Sequence, residues 1–359
     1  MTRHLAVMVT GVGGAGIGEQ ILKALRLSTL DLTIVGTDAT SASKGLHEVD
    51  VPHVIPRADD PGYLDALLDV CRRHAVKAVF PGSEPELLTL CRHAGRVAQE
   101  GIYLAANPAS VVELCLDKAA CTAWLLDRGF LCPRSVSVSQ ASDLALVDFF
   151  PAVLKPRSGA GGSSDVFIAT DRGELHFYGT HLLGQRGGFI AQEYVGTPDA
   201  EFTVGVLCAP DGSLMNAIAI RRDLASALSR RFVIENRSGR TELGPSLVIS
   251  SGISQGEIGP FPEVVRECRE MAVALGCTAA VNVQCRFVGG RPMIFEINPR
   301  FSGTTSLRAM AGYNEPEELL RCAVLGQAPR RDFAYRSGRI YRGLQEVADF
   351  GAHAGGANA

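Results

Sequence analysis

Short apolar runs alternate with helical patterns through the first 110 residues of the chain. Residues 5–10 (LAVMVT) are such a run, and they predict a buried parallel strand that leads into a glycine-rich turn and a helix. Further strands are predicted at 32–36, 76–80 and 102–105, with helices around 61–73 and from Glu84. Strands that alternate with helices favour a doubly wound parallel sheet, expected here over residues 1–110.

The pattern changes after about residue 150, where strands follow one another with few helices between them. The strands are predicted at 151–155, 164–169, 188–193, 201–208, 214–220, 279–288 and 292–297, with one helix at 261–275. Gly289-Gly290 between the last two strands indicates a tight hairpin. The second half is therefore expected to be α+β with an antiparallel sheet. One helix over 110–129 is predicted to link the halves, with Ser110 as its N-cap and Gly129 as its stop.

Composition narrows the class of protein. With 359 residues the chain suits two or three packed subdomains, and 46% hydrophobic and 20% charged residues are ordinary for a globular protein. A net charge of −3 argues against a nucleic-acid partner. No apolar run approaches the ~20 residues that cross a bilayer. Ten scattered cysteines without a CxxC pair, and no signal-peptide pattern, lead us to expect a cytoplasmic protein with reduced thiols.

The glycine-rich start, Gly11 to Gly18 after a strand, with Asp38 after the next strand, leaves two interpretations open. Glycines allow backbone N–H groups to approach a phosphate at a helix N-terminus, as in a dinucleotide site of an NAD(P)-dependent oxidoreductase. The same glycines can serve only to pack a helix closely on a strand. This segment alone does not separate the two.

Residues 153–162 place Lys155 at the end of an apolar strand, followed by a loop that contains Gly159, Gly161 and Gly162. A lysine ammonium neutralises phosphate charge, and a flexible glycine loop can fold over a nucleotide. A hairpin with a surface lysine explains the segment equally well. Residues 192–195 (QEYV) and Glu201 follow, where backbone groups could meet an adenine edge and a carboxylate could accept from ribose hydroxyls. Taken alone, a solvated strand face is the favoured explanation for either glutamate.

The stretch 282–303 carries the strongest chemical signal. Glu296 and Asn298 lie two apart on a predicted strand, so their side chains share one face, whereas Phe295 and Ile297 should face the core. The hairpin brings Gln284 towards the same face. Two amides and a carboxylate are oxygen ligands of the kind that magnesium takes, with phosphates and water completing its shell. Arg300 follows closely enough to reach an anion beside the metal.

Taken in order, these motifs resemble the ATP-grasp superfamily, and most closely its carbamoyl-phosphate-synthase-like ligases. The resemblance covers residues 5–325 and is specific as an ordered set, although no single motif is. The motifs are VTGVGGAGIG at the start, VGTD at 35–38, PGSEPEL at 81–87, LDK at 116–118, KPRSGAGG at 155–162, QEYVG at 192–196, EFTVGVL at 201–207 and FEINPRFSG at 295–303.

The resemblance implies a three-part ATP-grasp fold: a Rossmann-like pre-ATP-grasp domain at 1–110, a lid subdomain with its linking helix at 111–190, and a C-terminal subdomain at 191–335. Residues 336–359 would be a tail, disordered at its end. ATP would lie between the last two subdomains, and the first-domain glycines would line the substrate rim rather than hold NAD.

The resemblance also assigns residues. Nucleotide binding would fall to Lys118, Lys155, Gly159, Gly161, Gly162, Glu193, Tyr194, Val195 and Glu201, with adenine at the backbone of Glu193 and Val195 and ribose at Glu201. Two Mg²⁺ ions, with Mn²⁺ as an alternative, would bind Gln284, Glu296 and Asn298. Arg300 would contact the acyl phosphate or an anionic group of the acceptor, and Arg221 the γ-phosphate; with Lys155 these form the expected catalytic set.

Two departures from the family pattern matter. Ser163-Ser164-Asp165 stand where the family continues with a glycine and an apolar residue, so closure of the lid loop 157–165 could differ. Gln284 stands where many such ligases carry a carboxylate, which leaves one negative charge fewer at the metals. The chain is too short for two synthetase halves and has no glutaminase domain, so carbamoyl phosphate synthesis by this chain alone is not expected.

The sequence therefore predicts a ligase that activates a carboxylate as an acyl phosphate, joins it to an amine and releases ADP and phosphate. Small-molecule acids and amines, amino acids among them, are the expected partners, with a homodimer as one expected state and no membrane partner. The alternatives are a bicarbonate-using carboxylase or carbamoyl-phosphate-type enzyme, a nucleotide sensor without turnover, and an oxidoreductase. The arginines between 221 and 240 could bind an anionic acid or could form a solvated loop.

Overall fold

The computed structural model describes residues 4–13, 16–158 and 165–347. Its first part is a five-stranded sheet in the order β3-β2-β1-β4-β5, and every neighbouring pair is parallel. The strands are β1 Leu5–Val9, β2 Leu32–Asp38, β3 Val51–Val54, β4 Ala78–Phe80 and β5 Tyr103–Leu104. The helices between them are α1 Ile17–Arg26, α2 Tyr63–Arg73, α3 Glu84–Arg92 and α4 Ala94–Gln99. The predicted doubly wound sheet is confirmed.

The linking segment is two helices and not the single helix predicted. These are α5 Ala109–Leu116 and α6 Lys118–Asp127, and Asp117 between them is extended, with φ −91° and ψ 101°. The Asp117 carboxylate accepts hydrogen bonds from the N–H groups of Ala119 and Ala120, so it caps α6. Ser110 lies inside α5 and caps nothing. Gly129 follows α6 with φ 76°, the left-handed conformation that ends a helix, as predicted.

The lid subdomain is an antiparallel sheet in the order β6-β9-β7-β8, covered by a helix. Its elements are β6 Ser135–Val138, β7 Ala152–Pro156, β8 Phe167–Ala169, α7 Arg172–Arg186 and β9 Phe189–Glu193. Helix α7 was not predicted from the sequence, because few apolar side chains mark its buried face. The expected boundary at residue 190 falls inside β9, so the lid sheet extends to Glu193.

The C-terminal subdomain is built on a six-stranded sheet in the order β16-β15-β10-β11-β14-β17, with a separate hairpin of β12 and β13. The strands are β10 Glu201–Cys208, β11 Leu214–Arg222, β12 Arg230–Glu235, β13 Ser246–Ser250, β14 Gly256–Gly259, β15 Ala280–Val288, β16 Arg291–Asn298 and β17 Gly338–Ile340. The helices are α8 Pro262–Ala274, α9 Thr305–Met310 and α10 Glu315–Ala323. Gly289 and Gly290 form the predicted two-residue turn, with φ 59° and 84°.

The segment expected to be a tail contributes to this sheet. Residues 338–340 form β17, which pairs with β14 at the sheet edge. The prediction of a tail from residue 336 is therefore wrong at its start, and residues 348–359 lie outside the described part of the chain.

The first domain and the C-terminal subdomain share one hydrophobic core, in which Val7, Ile21 and Phe80 join Ile218 and Leu307. Helix α1 packs on α9 and α10, and a side chain from the linking segment fixes the same arrangement. Buried Asn107 donates to the carbonyls of Ala280 and Pro299 and accepts from the N–H groups of Thr278 and Ala279. All ten cysteines are free thiols. Within the described ranges, no helix has the length and apolar character to span a bilayer.

Candidate functional site: a cleft between two sheets

A cleft lies between the lid sheet and the C-terminal sheet and encloses about 710 Å³ of empty space, counting its open mouth. Its lining contains Lys118, Pro133, Val153, Lys155, Pro156, Val166, Gln192, Glu193, Tyr194, Val195, Glu201, Val248, Ile249, Ser250, Gln284, Arg286, Phe295 and Glu296. The predicted lysines, the adenine segment, Glu201, Gln284 and Glu296 are thus brought together.

One end of the cleft is apolar and presents an open backbone donor. Val153 and Val166 from the lid face Val248 from β13, beside Tyr194 and Val195. In the described part of the chain, no acceptor is bonded to the Val195 N–H, whereas the Glu193 N–H donates to a backbone carbonyl at 2.8 Å. An apolar slot with a free N–H at its edge suits a planar heterocycle with a ring nitrogen acceptor. This geometry supports the adenine interpretation at Val195, but not through the Glu193 N–H.

A β-bulge turns Phe295 into the cleft. Gln284 pairs with Glu296, yet the next residue, Cys285, pairs with Ile294, so Phe295 has no partner across the ladder. Phe295 therefore lines the cleft beside Glu296, and the Lys155 ammonium lies 5.0 Å from its ring centroid. The prediction that Phe295 faces the core is wrong because strict alternation fails at a bulge. Ile297 does pack in the core, as predicted.

Two lysines stand in the middle of the cleft with little negative charge to match them. Lys155 donates to the Gln192 side-chain oxygen at 2.8 Å, which is a neutral partner. The net effect of burial, the attraction of Glu296 and Glu201, and the repulsion of Lys118 and Arg286 is to lower the pKa of Lys155 to about 8, with burial the largest cause. A depressed lysine pKa marks a site where positive charge is held without a full counter-charge. Polyphosphate would supply that charge.

A clamp between the linker and the lid positions Lys118. Arg157, just after β7, donates to both oxygens of Asp117 at 2.7–3.0 Å and lowers the pKa of that carboxyl. The Lys118 N–H donates to the Arg157 carbonyl at 3.1 Å. The two cation-bearing segments are thus bound to each other. This pairing was not predictable from the two sequence motifs, because Asp117 and Arg157 lie 40 positions apart.

Glu201 is 1% exposed and is enclosed by two arginines. Arg222 donates to one carboxylate oxygen at 3.0 Å, and Arg286 donates to the other with two nitrogens at 3.0 and 3.1 Å. Arg286 also donates to the carbonyls of Val195 and Val248 and stacks 4.3 Å from the Tyr194 ring centroid. Glu201 lines the cleft, and its contact with ribose stays a prediction. Both of its oxygens already accept from guanidinium groups, so it also holds the cleft wall together.

The three predicted metal ligands converge. Gln284 lies directly across the ladder from Glu296, and the Asn298 side chain is close enough to help lower the pKa of the Glu296 carboxyl. Burial raises the pKa of Glu296, but Lys118, Lys155 and Arg300 outweigh it and the pKa is lowered, so the carboxylate is charged at neutral pH. Among the described residues, no group of three or more His, Cys, Asp or Glu could hold a metal. One carboxylate and two amides fit an ion that arrives with phosphate ligands better than a resident ion.

Arg300 continues the line of polar groups towards the first domain. Its guanidinium donates to Glu84 at 2.6 Å, to the Asn298 side-chain oxygen at 3.1 Å and to the Phe301 carbonyl at 3.1 Å. Glu84 begins α3, and Ser83 caps that helix. No role was predicted for Glu84, which lies in the motif at 81–87. Only the folded chain places it beside Arg300. An anion and a cation thus lie side by side next to the metal ligands.

Arg221 does not reach the cleft. Its side chain points to the outer face of β11, where it pairs with Glu257 on β14. The neighbouring Arg222 is the buried one, and it donates to Glu201, to Gln284 at 3.5 Å and to the Ser251 carbonyl at 2.7 Å. The expected γ-phosphate role of Arg221 is therefore corrected. Alternation could not decide between the two arginines, because β11 is buried on both faces before them.

The arginine-rich stretch forms neither a single anion site nor a solvated loop. It contains β12, whose hairpin partner β13 covers the cleft through Val248, Ile249 and Ser250. Arg240 at its far end donates to the Glu193 carboxylate of the lid at 2.8 Å, and the Val248 N–H donates to the Tyr194 hydroxyl at 2.9 Å. These contacts fasten the hairpin to the adenine segment.

Loosening this hairpin should weaken nucleotide binding without changing the chemistry. Arg240→Gln removes a half-buried ion pair, so we expect KM for ATP to rise about three- to tenfold with kcat within about twofold, as for loss of a contact worth roughly 1 kcal/mol. Arg237→Gln, which removes an exposed pair on the same hairpin, is the matched control. Unchanged KM in Arg240→Gln would contradict a fastening role.

The glycine-rich start is explained by close packing. A Cβ added at Gly18 would lie 2.2 Å from the Gly11 carbonyl oxygen, and one at Gly82 would lie 1.8 Å from the Thr10 carbonyl oxygen. Asp38, the acid that a dinucleotide would need, accepts from the N–H groups of Gly13 and Ala39 at 2.7 and 2.8 Å. These contacts support the packing interpretation over an NAD site. The phosphate-loop glycines Gly159, Gly161 and Gly162 lie outside the described residues.

Two family models match the sequence. One, described as the PylC-like N-terminal domain, matches residues 8–105. The other, described as ATP-grasp in the biosynthetic pathway with Ter operon, matches residues 250–342. A search of curated proteins found no significant match.

Many solved structures share the fold. An L-amino acid ligase from Bacillus licheniformis is 17% identical with a TM-score of 0.63, covering 90% of this chain and 75% of that one. N5-carboxyaminoimidazole ribonucleotide synthetase from Thermus thermophilus is 19% identical with a TM-score of 0.63, at 92% and 81% coverage. The biotin carboxylase domain of Hydrogenobacter thermophilus 2-oxoglutarate carboxylase, solved with MgADP and bicarbonate, is 16% identical with a TM-score of 0.62, at 91% and 71% coverage.

The cleft between the two sheets and these structural similarities define the ATP-grasp fold. The two family models match the first domain and part of the C-terminal subdomain of this fold.

Proposed function

We propose that the protein is an ATP-dependent carboxylate–amine ligase that forms an amide bond and releases ADP and phosphate. The order of groups along the cleft carries the proposal. An apolar slot is followed by Lys118 and Lys155, then by Glu296 with its two amides, and then by Arg300 against Glu84. This order matches adenine, polyphosphate, metal and a charged substrate from one end to the other.

The chain's own residues would divide the work along that line. Lys118 and Lys155 would neutralise the phosphates, and Gln284, Glu296 and Asn298 would hold two magnesium ions, with manganese as an alternative. Bound magnesium supplies neutralisation of the charge that develops on the β- and γ-phosphates. Phe295 and the β12–β13 hairpin would exclude water from the reacting end.

Arg300 would orient the donor carboxylate, one oxygen of which attacks the γ-phosphorus while the bond to the β–γ bridging oxygen breaks. The acceptor nitrogen then attacks the acyl carbon, and phosphate leaves with the transferred oxygen. Glu84, which accepts a hydrogen bond from the same guanidinium at 2.6 Å, would hold the acceptor's ammonium and take its proton. In the described part of the chain, no acceptor is bonded to the Gly303 N–H, which leaves it available to the oxyanion.

The nucleotide product tests the proposal. We expect each turnover to give ADP and phosphate, because the metal ligands lie beside Lys118, Lys155 and Arg300 at the substrate end of the cleft and not beside the apolar slot. Acids and amines are screened by phosphate release, and products are identified by mass spectrometry. With oxygen-18 in the donor carboxylate, one label should pass to the released phosphate.

AMP and pyrophosphate as products, or label that never reaches phosphate, would refute the acyl-phosphate route. ATP hydrolysis stimulated by bicarbonate but by no other acid would favour the carboxylase alternative. Tight NADH binding with none of Mg-ATP would favour the oxidoreductase.

A further inference from the structure

A second arginine lies near the substrate end of the cleft and has only neutral partners. Arg342, two residues after β17, donates to the Gly303 carbonyl at 2.7 Å, to the Gln20 side-chain oxygen at 2.7 Å and to the Ser306 hydroxyl at 3.3 Å. In the described part of the chain it forms no ion pair with a carboxylate. Glu19 attracts it electrostatically, but that carboxylate binds Lys23 at 2.8 Å and Lys44 at 3.1 Å. A half-buried cation is thus held in place without a counter-charge.

Arg342 and Arg300 hold the same turn from two directions. Arg300 donates to the Phe301 carbonyl, and Arg342 donates to the Gly303 carbonyl. Hydrogen bonds among Ser302, Thr304 and Thr305 make the turn rigid. Because the two accepting carbonyls are only two positions apart, the guanidinium groups hold one short stretch of backbone, which begins three residues after the predicted metal ligand Asn298.

The opposite charge near this turn is the Glu84 carboxylate, which accepts from Arg300 at 2.6 Å. Glu84, bound to Arg300, follows Gly82, whose carbonyl accepts from the Gly18 N–H at 3.2 Å. Gly18 is two residues before Gln20, which holds Arg342. A series of adjacent contacts, from Glu84 through Gly82 and Gly18 to Gln20, therefore connects the segment that carries Glu84 with the Arg342 guanidinium. A small molecule with an ammonium and a carboxylate matches this pair.

We propose that Arg342 binds a carboxylate on the acceptor amine, so that the acceptor is an amino acid and not a simple amine. The inference rests on the proposed ligase function. Gln20, Ser306 and the Gly303 carbonyl fix the guanidinium plane, which leaves its charge for a planar carboxylate. The acceptor's ammonium would then lie towards Glu84, with its nitrogen directed at the acyl carbon beside Arg300.

The test compares common amino acids with their primary amides, which keep the ammonium and lose the carboxylate. Each set is added to wild-type protein saturated with Mg-ADP, and thermal unfolding is followed. We expect stabilisation by amino acids and not by amides. In the turnover assay, Arg342→Gln should raise KM for the amino acid acceptor about 10- to 100-fold, the usual range for a charge-assisted hydrogen bond. KM for ATP should stay unchanged. The variant should also lose the preference for amino acids over their primary amides.

Arg342→Lys keeps the positive charge but loses the planar set of N–H donors of the guanidinium. It should give an intermediate KM for the acceptor, which a purely structural role would not produce. Arg339→Gln, an exposed arginine on β17, is the matched control and should leave every constant unchanged. Equal stabilisation by both sets, by neither set, or an unchanged acceptor KM in Arg342→Gln overturns the inference. An absence of ADP release with every acid and amine would instead refute the ligase function itself.

Discussion

Glu296→Gln is expected to lower kcat by about a hundred- to several-thousand-fold, because losing the charged ligand of a catalytic metal removes several kcal/mol of transition-state stabilisation. Glu296 is the one carboxylate among the three predicted ligands, so its charge cannot be replaced by Gln284 or Asn298. The dependence of rate on magnesium should move to higher concentration in the variant. Steady-state kinetics at several magnesium and manganese concentrations measures both effects.

The fold should survive this substitution, since glutamine keeps the size of the side chain. A modest loss of stability is nevertheless expected at neutral pH. The pKa of Glu296 is lowered in the folded protein, so its carboxylate contributes stability above the ordinary glutamate pKa and loses it as the pH falls through the lowered value. The difference in free energy of unfolding between wild type and variant should therefore shrink in acid.

Glu257→Gln provides the matched control, because Glu257 pairs with Arg221 on the outer face of the sheet. Near-normal activity in that variant would also agree with the outward position of Arg221. If Glu296→Gln keeps near-normal kcat with saturating acid and amine, the metal assignment is wrong.

The parts of the fold that follow from periodicity were predictable. Alternating strands and helices gave the parallel sheet, and Gly289-Gly290 gave the hairpin that sets Gln284 opposite Glu296. Local rules sufficed there, because side-chain alternation and turn conformation are short-range properties. Helix α7 was missed because its apolar pattern is weak. The break at Asp117 was missed because, in the sequence, an aspartate that caps a helix within an apolar stretch looks the same as an aspartate inside a continuous helix.

The corrections at the site share a physical cause. The sequence does not show whether Arg221 or Arg222 points inwards, because the residues before them in β11 are buried on both faces. The orientation of the Phe295 side chain towards the cleft depends on a β-bulge. Arg240 and Arg342 reach the site from distant segments, and Glu84 acquires its partner only through the contact of the first domain with the turn after β16. Long-range placement of single charged groups is set by tertiary packing, which no local pattern encodes.

Electrostatics also distinguishes the candidate site from the rest of the chain. Most arginines on the surface pair with a carboxylate at close range, and such pairs contribute little to stability. Lys155 and Arg342 instead have neutral partners in half- or fully buried positions. Holding charge in this way costs stability and is expected where a ligand supplies the counter-charge.

Lys155→Met should therefore lower kcat/KM for ATP by about 10²- to 10³-fold, since it removes a buried charge from the phosphate region.

Burial lowers the pKa of Lys155 to about 8, so in the free protein the ammonium is present below that pH and is lost above it. At the proposed phosphate site, the nucleotide would bind the charged form of Lys155. Affinity for Mg-ADP should thus be nearly constant below about pH 8 and should fall by up to tenfold per pH unit above it, with the binding of phosphate taking up a proton. Calorimetry between about pH 7 and 9.5 measures the affinity. Lys155→Arg should bind without this pH dependence because a guanidinium stays charged throughout, whereas Lys118→Arg, which keeps Lys155, should retain it. Wild-type affinity that does not change across this range would contradict the placement of Lys155 at the phosphates.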